Sequence, residues 1–407
     1  MKGNNFQPQL IRALVVIACA CISVDSVAAA KYRIIHYFEN QPASSPESAM
    51  VFDSAGNLYG TTDFSEPDSC GDAGCGTLFT FNPRSGKSRL YRFKSPNGNR
   101  PAGGLTFDSK GNLYGTTYLG GQDGLGNVYQ MTPSGEKVLY SFSGTGDAFG
   151  PMSPLVFDAS GNMYGITGFG GSFFHGAVFE LQPTQSGWKE SVIYSFTGGV
   201  DGDGGTGNLA IDSNGNIYGT TGAGGANDEG VVFELTPSQQ GAWTETVLYN
   251  FTGGTDGRAP FGGVILNATG TLYGTTQAGG LNSCNGDTGC GTVFELTPSG
   301  GSWQFSVLHT FNMSDGAFPG VPLTVDASGN LYGTALGGGD NNDGAVFKLS
   351  QSGGIWTETL LHSFNGHDGL LPYGGLVLDS QGVIYGSAAY GGHGPNLGYG
   401  VLFSITQ

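Results

Sequence analysis

Charge is scarce in this chain. Lys, Arg, Asp and Glu make up 12% of its 407 residues, and only 15 basic side chains stand against 32 acidic ones. A net charge of −17 repels phosphate backbones and argues against nucleic acid as a partner. Long hydrophobic runs are missing too. The longest, Ala13 to Val24, falls short of the roughly 20 residues that span a bilayer. Catalytic signatures are absent: no Gly-x-Ser-x-Gly elbow, no His-Glu-x-x-His, no phosphate-binding loop and no Cys-x-x-Cys, which removes the motif-based enzyme classes.

What is present begins with an export pattern. Lys2 and Arg12 precede the apolar run, and Ala28-Ala29-Ala30 follows it. This layout predicts a signal peptide over residues 1–30, with the mature chain starting at Lys31 and no membrane insertion after cleavage. Without those residues, 13 basic and 31 acidic side chains remain, a net charge of −18. Glycine is abundant, 75 residues, yet 38% of the chain is hydrophobic. That is enough for a core, so glycine marks turns and close approaches here.

The chain repeats. Tyr-Gly occurs at Tyr59, Tyr114, Tyr164, Tyr218, Tyr273, Tyr332 and Tyr385, at spacings of 55, 50, 54, 55, 59 and 53 residues. Around each copy lie four short β-type runs, in the fourth repeat Asn208–Asp212 (a), Asn216–Thr221 (b), Val231–Leu235 (c) and Thr246–Phe251 (d). Units begin near residues 49, 103, 153, 207, 262, 321 and 374. Four strands per unit and seven units predict an all-β, seven-bladed β-propeller with antiparallel blades. The chain ends support closure. The last unit stops at its c run, Val401–Ile405, while Lys31–Phe38 resembles a d run. The N-terminal strand is therefore expected to complete the last blade, which removes two sheet edges.

The recurring Tyr-Gly-Thr-Thr, Gly-Gly, Val-Phe-Glu-Leu-Thr-Pro and Leu-Tyr-Ser-Phe elements resemble those of the GloVer tandem-repeat (choice-of-anchor) family over nearly all of residues 31–407. The resemblance implies an exported bacterial repeat protein and no particular activity. Relatives that end in a surface-sorting tail differ from this chain, so a secreted or periplasmic location is expected.

In this strand order the b–c and d–a connections share one face, and they are the variable ones. A ligand is expected there, near Phe173, His175, Tyr390 and His393, where repeat character is lost. Residues that recur in most copies read as structural. Asp53, Asp108, Asp158, Asp212, Asp326 and Asp379 close run a and should cap turns. Glu180, Glu234 and Glu295 hold a position that tolerates any polar group. His36, His309 and His362 read as packed rim residues, and Trp188, Trp243, Trp303 and Trp356 as covers for hairpin ends. Asp201, Asp256, Asp315 and Asp368, with Asp203, recur in the d–a loops; a turn role is expected, and calcium is their only cofactor candidate. Cys70, Cys75, Cys284 and Cys290 lie in two similar b–c loops of non-neighbouring blades. Local pairs, Cys70–Cys75 and Cys284–Cys290, are expected.

The expected function is a non-catalytic, monomeric binding or scaffold protein that recognises glycan or another cell-surface component. One alternative is a propeller enzyme, a metal-assisted hydrolase or lyase at the channel mouth with His175 or His393 as base. Another is a structural surface array.

Overall fold

The Tyr-Gly dipeptide has a steric cause. In the computed structural model each of these glycines lies on strand b, and the ring of an aromatic on strand c crosses it. A methyl group on Gly60, Gly165, Gly219, Gly274, Gly333 or Gly386 would run into the ring of Phe79, Phe179, Phe233, Phe294, Phe347 or Phe403, and on Gly115 into Tyr129. The structure describes residues 30–39, 43–71, 74–144, 146–238, 241–280, 284, 288–394 and 398–407. Of the expected signal segment over residues 1–30, all but Ala30 lies outside them.

Seven blade sheets form the ring, each built on four antiparallel strands in the order a-b-c-d. The fourth blade is typical: Ala210–Ile211 (a), Ile217–Thr221 (b), Val231–Pro237 (c) and Trp243–Asn250 (d). Its strand a is shorter than the run read from the sequence. Asn208 leaves its own sheet to bridge Gly263 of the next blade, and Asp212 already belongs to the turn, where its N–H bonds the Asn216 carbonyl. The ring closes as expected. Lys31–Tyr37 pairs antiparallel with Val401–Thr406, as the outer strand of the seventh blade.

The core lies between blades. Tyr164, Ile166 and Phe196 of blade 3 pack on Leu209, Phe233 and Leu235 of blade 4. At the seam, Phe38, Tyr385 and Leu402 of blade 7 pack on Met50, Leu58, Phe79 and Phe81 of blade 1. A fully buried Phe contributes about 2 kcal/mol, more than one neutral hydrogen bond, so apolar contact between blades dominates the stability.

On the a–b turn face one device recurs. Asp326 accepts the N–H groups of Ser328 (2.8 Å) and Asn330 (2.9 Å), the Asn330 amide (2.7 Å) and the Tyr332 hydroxyl (2.9 Å). Asp53, Asp108, Asp158 and Asp212 repeat the pattern. Asp379 and Asn267 keep its backbone part. These side chains tie the turn to strand b, and in the five full copies each carboxylate accepts four hydrogen bonds.

Candidate ligand site at the channel mouth

The loop entering each strand a obeys one backbone rule. Its pivot residue is left-handed in all seven blades: Ser45 (φ 59°), Arg100 (55°), Gly150 (64°), Gly204 (67°), Ala259 (53°), Phe318 (61°) and Leu371 (52°). Non-glycine residues rarely adopt this conformation, at a cost of about 1–3 kcal/mol each. Hydrogen bonds hold it in place. The Ala259 N–H donates to the Glu229 carbonyl of the preceding blade (3.0 Å), and the Ala259 carbonyl accepts from Gln277 N–H (3.0 Å). The same pair of bonds forms at Arg100, with Cys75 and Tyr118, and at Leu371, with Asp343 and Ala389. A strand b hydroxyl of the preceding blade grips the next residue: Thr61 donates to Pro101 O (2.5 Å), Thr220 to Pro260 O (2.5 Å), Thr334 to Pro372 O (2.8 Å) and Ser387 to Pro46 O (3.0 Å).

The following residue is thereby delivered to the axial channel. Glu47, Ala102, Met152, Thr206, Phe261, Gly320 and Tyr373, one from each blade, line one cavity of about 430 Å³ with Asn208, Gln277 and Leu336. Met152, Phe261 and Tyr373 remain 42%, 38% and 38% exposed. Neighbouring blades compensate for bulk. The Phe261 ring covers Gly222, leaving no room for a methyl there, and Gly320 sits below the Gln277 amide. Seven copies of one loop thus present seven different residues to one space.

Its electrostatics are simple. Glu47 is the only carboxylate in the lining. Ser45 donates to it at 2.7 Å. Burial raises its pKa above the ordinary value; the Ser45 bond and the Arg100 charge pull the other way, and Asp63 adds to the rise. Arg100 itself is clamped on buried Asp63 at 2.8 Å. The Tyr373 phenol is raised first by burial and then by Glu47 and Tyr390. Aromatic and thioether faces beside amides and one carboxyl suit a ring with both apolar and hydroxyl surfaces. Glu47 and Tyr373 are the titratable side chains of this lining.

The sequence comparison agrees with this repeat geometry. The model of the Gloeobacter/Verrucomicrobia repeat matches residues 23–209 and 188–403. The chain belongs to that family. No curated protein matches it. Among solved structures, the extracellular domain of a protein described as a hybrid two-component system from B. thetaiotaomicron is similar, at 12% identity and TM-score 0.55, over 93% of this chain and 43% of that one. PorZ, described as an essential surface component of the type-IX secretion system of Porphyromonas gingivalis, is similar at 14% identity and TM-score 0.54, over 91% and 48%. This chain thus spans less than half of either protein, and the likeness shows the fold alone. A Bacteroides uniformis protein described as a 6-phosphogluconolactonase matches at 18% identity and TM-score 0.49, over 77% and 84%.

Against the frame of the Gloeobacter/Verrucomicrobia repeat, the four side chains singled out from the sequence fall on two separate blades, and none lines the cavity. Phe173 is 53% exposed on the b–c loop of blade 3. His175 next to it pairs with Asp203 (Nδ1 to Oδ1, 3.0 Å), and its carbonyl accepts the N–H of the pivot residue Gly204. Its backbone does the repeat's work, while its ring replaces Cys75, Leu125 or Glu229 of other copies. His393 stacks on Tyr37 of the outer strand of blade 7, with ring centroids 4.1 Å apart. Tyr390 bridges Leu370 and acts electrostatically on the lining residue Tyr373. These positions carried a signal: each is one unrepeated residue two places after the loop pivot, in six of the seven copies directly after a proline.

The d–a loop aspartates lie at the rim with their oxygens facing donors. Asp201 accepts from Tyr194 OH (2.9 Å), Thr197 N–H (2.9 Å) and the Thr197 hydroxyl, and Asp256 likewise from Tyr249 and Thr252. Asp315 and Asp368 take the backbone N–H groups of Asn312 and Asn365 (both 2.9 Å) and sit against His309 (3.2 Å) and His362 (3.1 Å). A ring of N–H and O–H donors stabilises the carboxylate and leaves a poor surface for a cation. Cys70–Cys75 and Cys284–Cys290 are disulfides with Cα atoms 5.1 and 5.2 Å apart. Asp68, Cys70 and Cys75 form the one group of three metal-type ligands among the described residues, but disulfide sulfurs have no thiolate to offer a metal.

Proposed function

We propose that this chain is an exported, non-catalytic binding protein whose ligand, a glycan or another neutral component of a cell surface, seats in the channel mouth. One observation carries the reading. The loop backbone repeats seven times, in five copies on a strained non-glycine pivot, while the residue it delivers to the cavity is free to differ: Glu47, Ala102, Met152, Thr206, Phe261, Gly320 and Tyr373. A purely structural ring would have no need of that freedom. Flat faces from Phe261 and Tyr373 and hydrogen-bonding groups from Asn208, Gln277 and Glu47 are the chemistry a sugar ring uses. Two disulfides fit an oxidising compartment, and no helix among the described residues is long and apolar enough to cross a membrane.

The test is a glycan array read with the wild type and with Phe261→Ala/Tyr373→Ala. Binding that falls tenfold or more, with a melting temperature within about 2 °C of wild type, supports the site. Binding that survives the change, or that is lost only on altering Phe173 and His175, moves the ligand to the loop tips. Turnover of a sugar lactone that is abolished by Glu47→Gln would instead select an enzyme.

A further inference from the structure

Four junctions between blades show what their outer groove is shaped to hold. In each, a tryptophan from the c–d hairpin of one blade stands edge-on to the Tyr-Gly tyrosine of the blade before it: Trp188 on Tyr114, Trp243 on Tyr164, Trp303 on Tyr218 and Trp356 on Tyr273. At the sixth junction Gln407 donates to Tyr332 OH (3.1 Å) and Lys348 lies over its ring (5.5 Å). The first junction is different. The c–d hairpin of blade 2 turns at Thr132↔Gly135, whereas blade 3 continues through Pro183↔Trp188 to Thr184↔Gly187. The rung that would carry tryptophan does not exist. What remains is a groove of about 580 Å³ lined by Tyr59, Tyr91, Met131, Pro133, Lys87 and Arg89, among others.

Charge sets this groove apart. Five of the chain's 15 basic residues, Arg84, Lys87, Arg89, Arg92 and Lys94, cluster on or beside the outer strand of blade 1. Arg92 is neutralised by Glu66 at 2.7 Å. Lys87 and Arg89 form no ion pair among the described residues, and both are exposed at the groove. The groove at the seam between blades 7 and 1 also lacks tryptophan, but its lining mixes Asp53 and Asp379 with Arg84.

We infer that the groove between blades 1 and 2 is a docking site for an acidic segment of another protein that carries a tryptophan, its indole taking the place on Tyr59 that the hairpin tryptophans take elsewhere and its carboxylates meeting Lys87 and Arg89. The four filled junctions define the ring that fits, and the local charge in an otherwise acidic molecule defines the flanks. This site lies on the turn face and is independent of the channel mouth.

The experiment is fluorescence anisotropy with labelled Asp-Glu-Trp-Glu-Asp and with Asp-Glu-Ala-Glu-Asp. The tryptophan peptide should bind saturably, tenfold or more tighter than the alanine peptide, and tenfold or more weaker to Lys87→Gln/Arg89→Gln. Both charges are on the surface, so that variant should fold. Replacing Pro133-Ser134 by the segment Pro183–Trp188 should fill the groove from within, abolish peptide binding and raise the melting temperature. Equal binding of the two peptides, no saturable binding, unchanged affinity in the charge variant, or an oligogalacturonate of matched charge binding as well as the tryptophan peptide would each overturn the inference. So would a folded, groove-filled variant that still binds. If that variant does not fold, the charge variant and the alanine peptide decide.

Discussion

On the turn face, Asp326 and five counterparts repeat as aspartate, with Asn267 in blade 5, and all seven make the same two bonds to the backbone of the turn. At the channel mouth, Phe261 and its counterparts share a backbone and almost nothing else. Both regions arise from one sequence unit copied seven times. The turn aspartates are used up by Asn330-type amides, Tyr332-type hydroxyls and backbone N–H groups, so a changed side chain there loses bonds at once. The mouth residues are positioned through the main-chain groups of the pivots before them, so their side chains change at little structural cost. Where a repeat holds its geometry by side chains, identity is fixed; where it holds it by backbone, identity becomes available for recognition.

Paired glycines give the strongest test of this contrast. Gly333→Ala would place a methyl 2.5 Å from the Phe347 ring and 2.9 Å from Leu323. It should cost about 3 kcal/mol in chemical denaturation. Gly320→Ala at the mouth meets only the flexible Gln277 amide, at 3.2 Å. A comparable loss there would break the distinction. Next in size, Asp326→Ala should cost about 2 kcal/mol, since it strands two backbone N–H groups of the turn, and should leave glycan binding unchanged.

A smaller effect separates rim from turn by pH. Glu136, Glu190, Glu245 and Glu358 on the outer strands are pushed up to about 7, first by burial. The carboxylates of Asp147, Asp201 and Asp315 add to the rise at Glu190, Glu245 and Glu358, against His309 at the last. A carboxyl raised in the folded state holds more protons folded than unfolded, so stability falls as pH rises from about 4.5 through about 7. At turn residues Asp53, Asp108 and Asp326 burial alone would raise the pKa, but hydrogen bonds led by Asn57, Asn112 and Asn330 outweigh it and lower the value below 3.8. Their contribution is complete above about pH 3.8 and is lost only below it. Thermal melts should therefore peak near pH 4.5–5 and decline toward pH 8. A profile that rises from pH 5 to pH 8 would contradict the rim assignment. The smallest effect expected is that of Gly320→Ala, within about 0.5 kcal/mol of wild type.

The fold was legible because its causes lie in side chains that repeat. Tyr-Gly marks the crossing aromatic of strand c, the Asp-x-x-Gly turns mark the a–b links, and the d-like run at Lys31 marked the closure. The disulfides were legible because four cysteines in a chain with an export pattern fall in two loops, and blades 1 and 5 are not neighbours. The mouth was harder to read, because the left-handed pivots Ser45, Arg100, Ala259, Phe318 and Leu371 have nothing in common as letters, and only the proline after each of them marks the position. Blade 4 obscures it further by using Gly204-Gly205 where other copies have a proline. The eye goes instead to His175 and His393, which look unusual because their rings make contacts of their own, with Asp203 and Tyr37, that the other copies lack. The empty groove was hidden for a related reason: a missing tryptophan in blade 2 acquires meaning only once Trp188 is seen against Tyr114.

The closing strand pair has a mechanical consequence. Lys31 pairs with Thr406, so the two ends of the propeller stand side by side where the seventh c–d hairpin would be, on the face away from the channel mouth. Chain continuing from both ends would leave from one point of the rim and keep the mouth clear. A load between those ends would peel the two antiparallel strands apart one rung at a time, the direction in which a strand pair yields most easily. A load carried by one end alone would be shared with the whole ring.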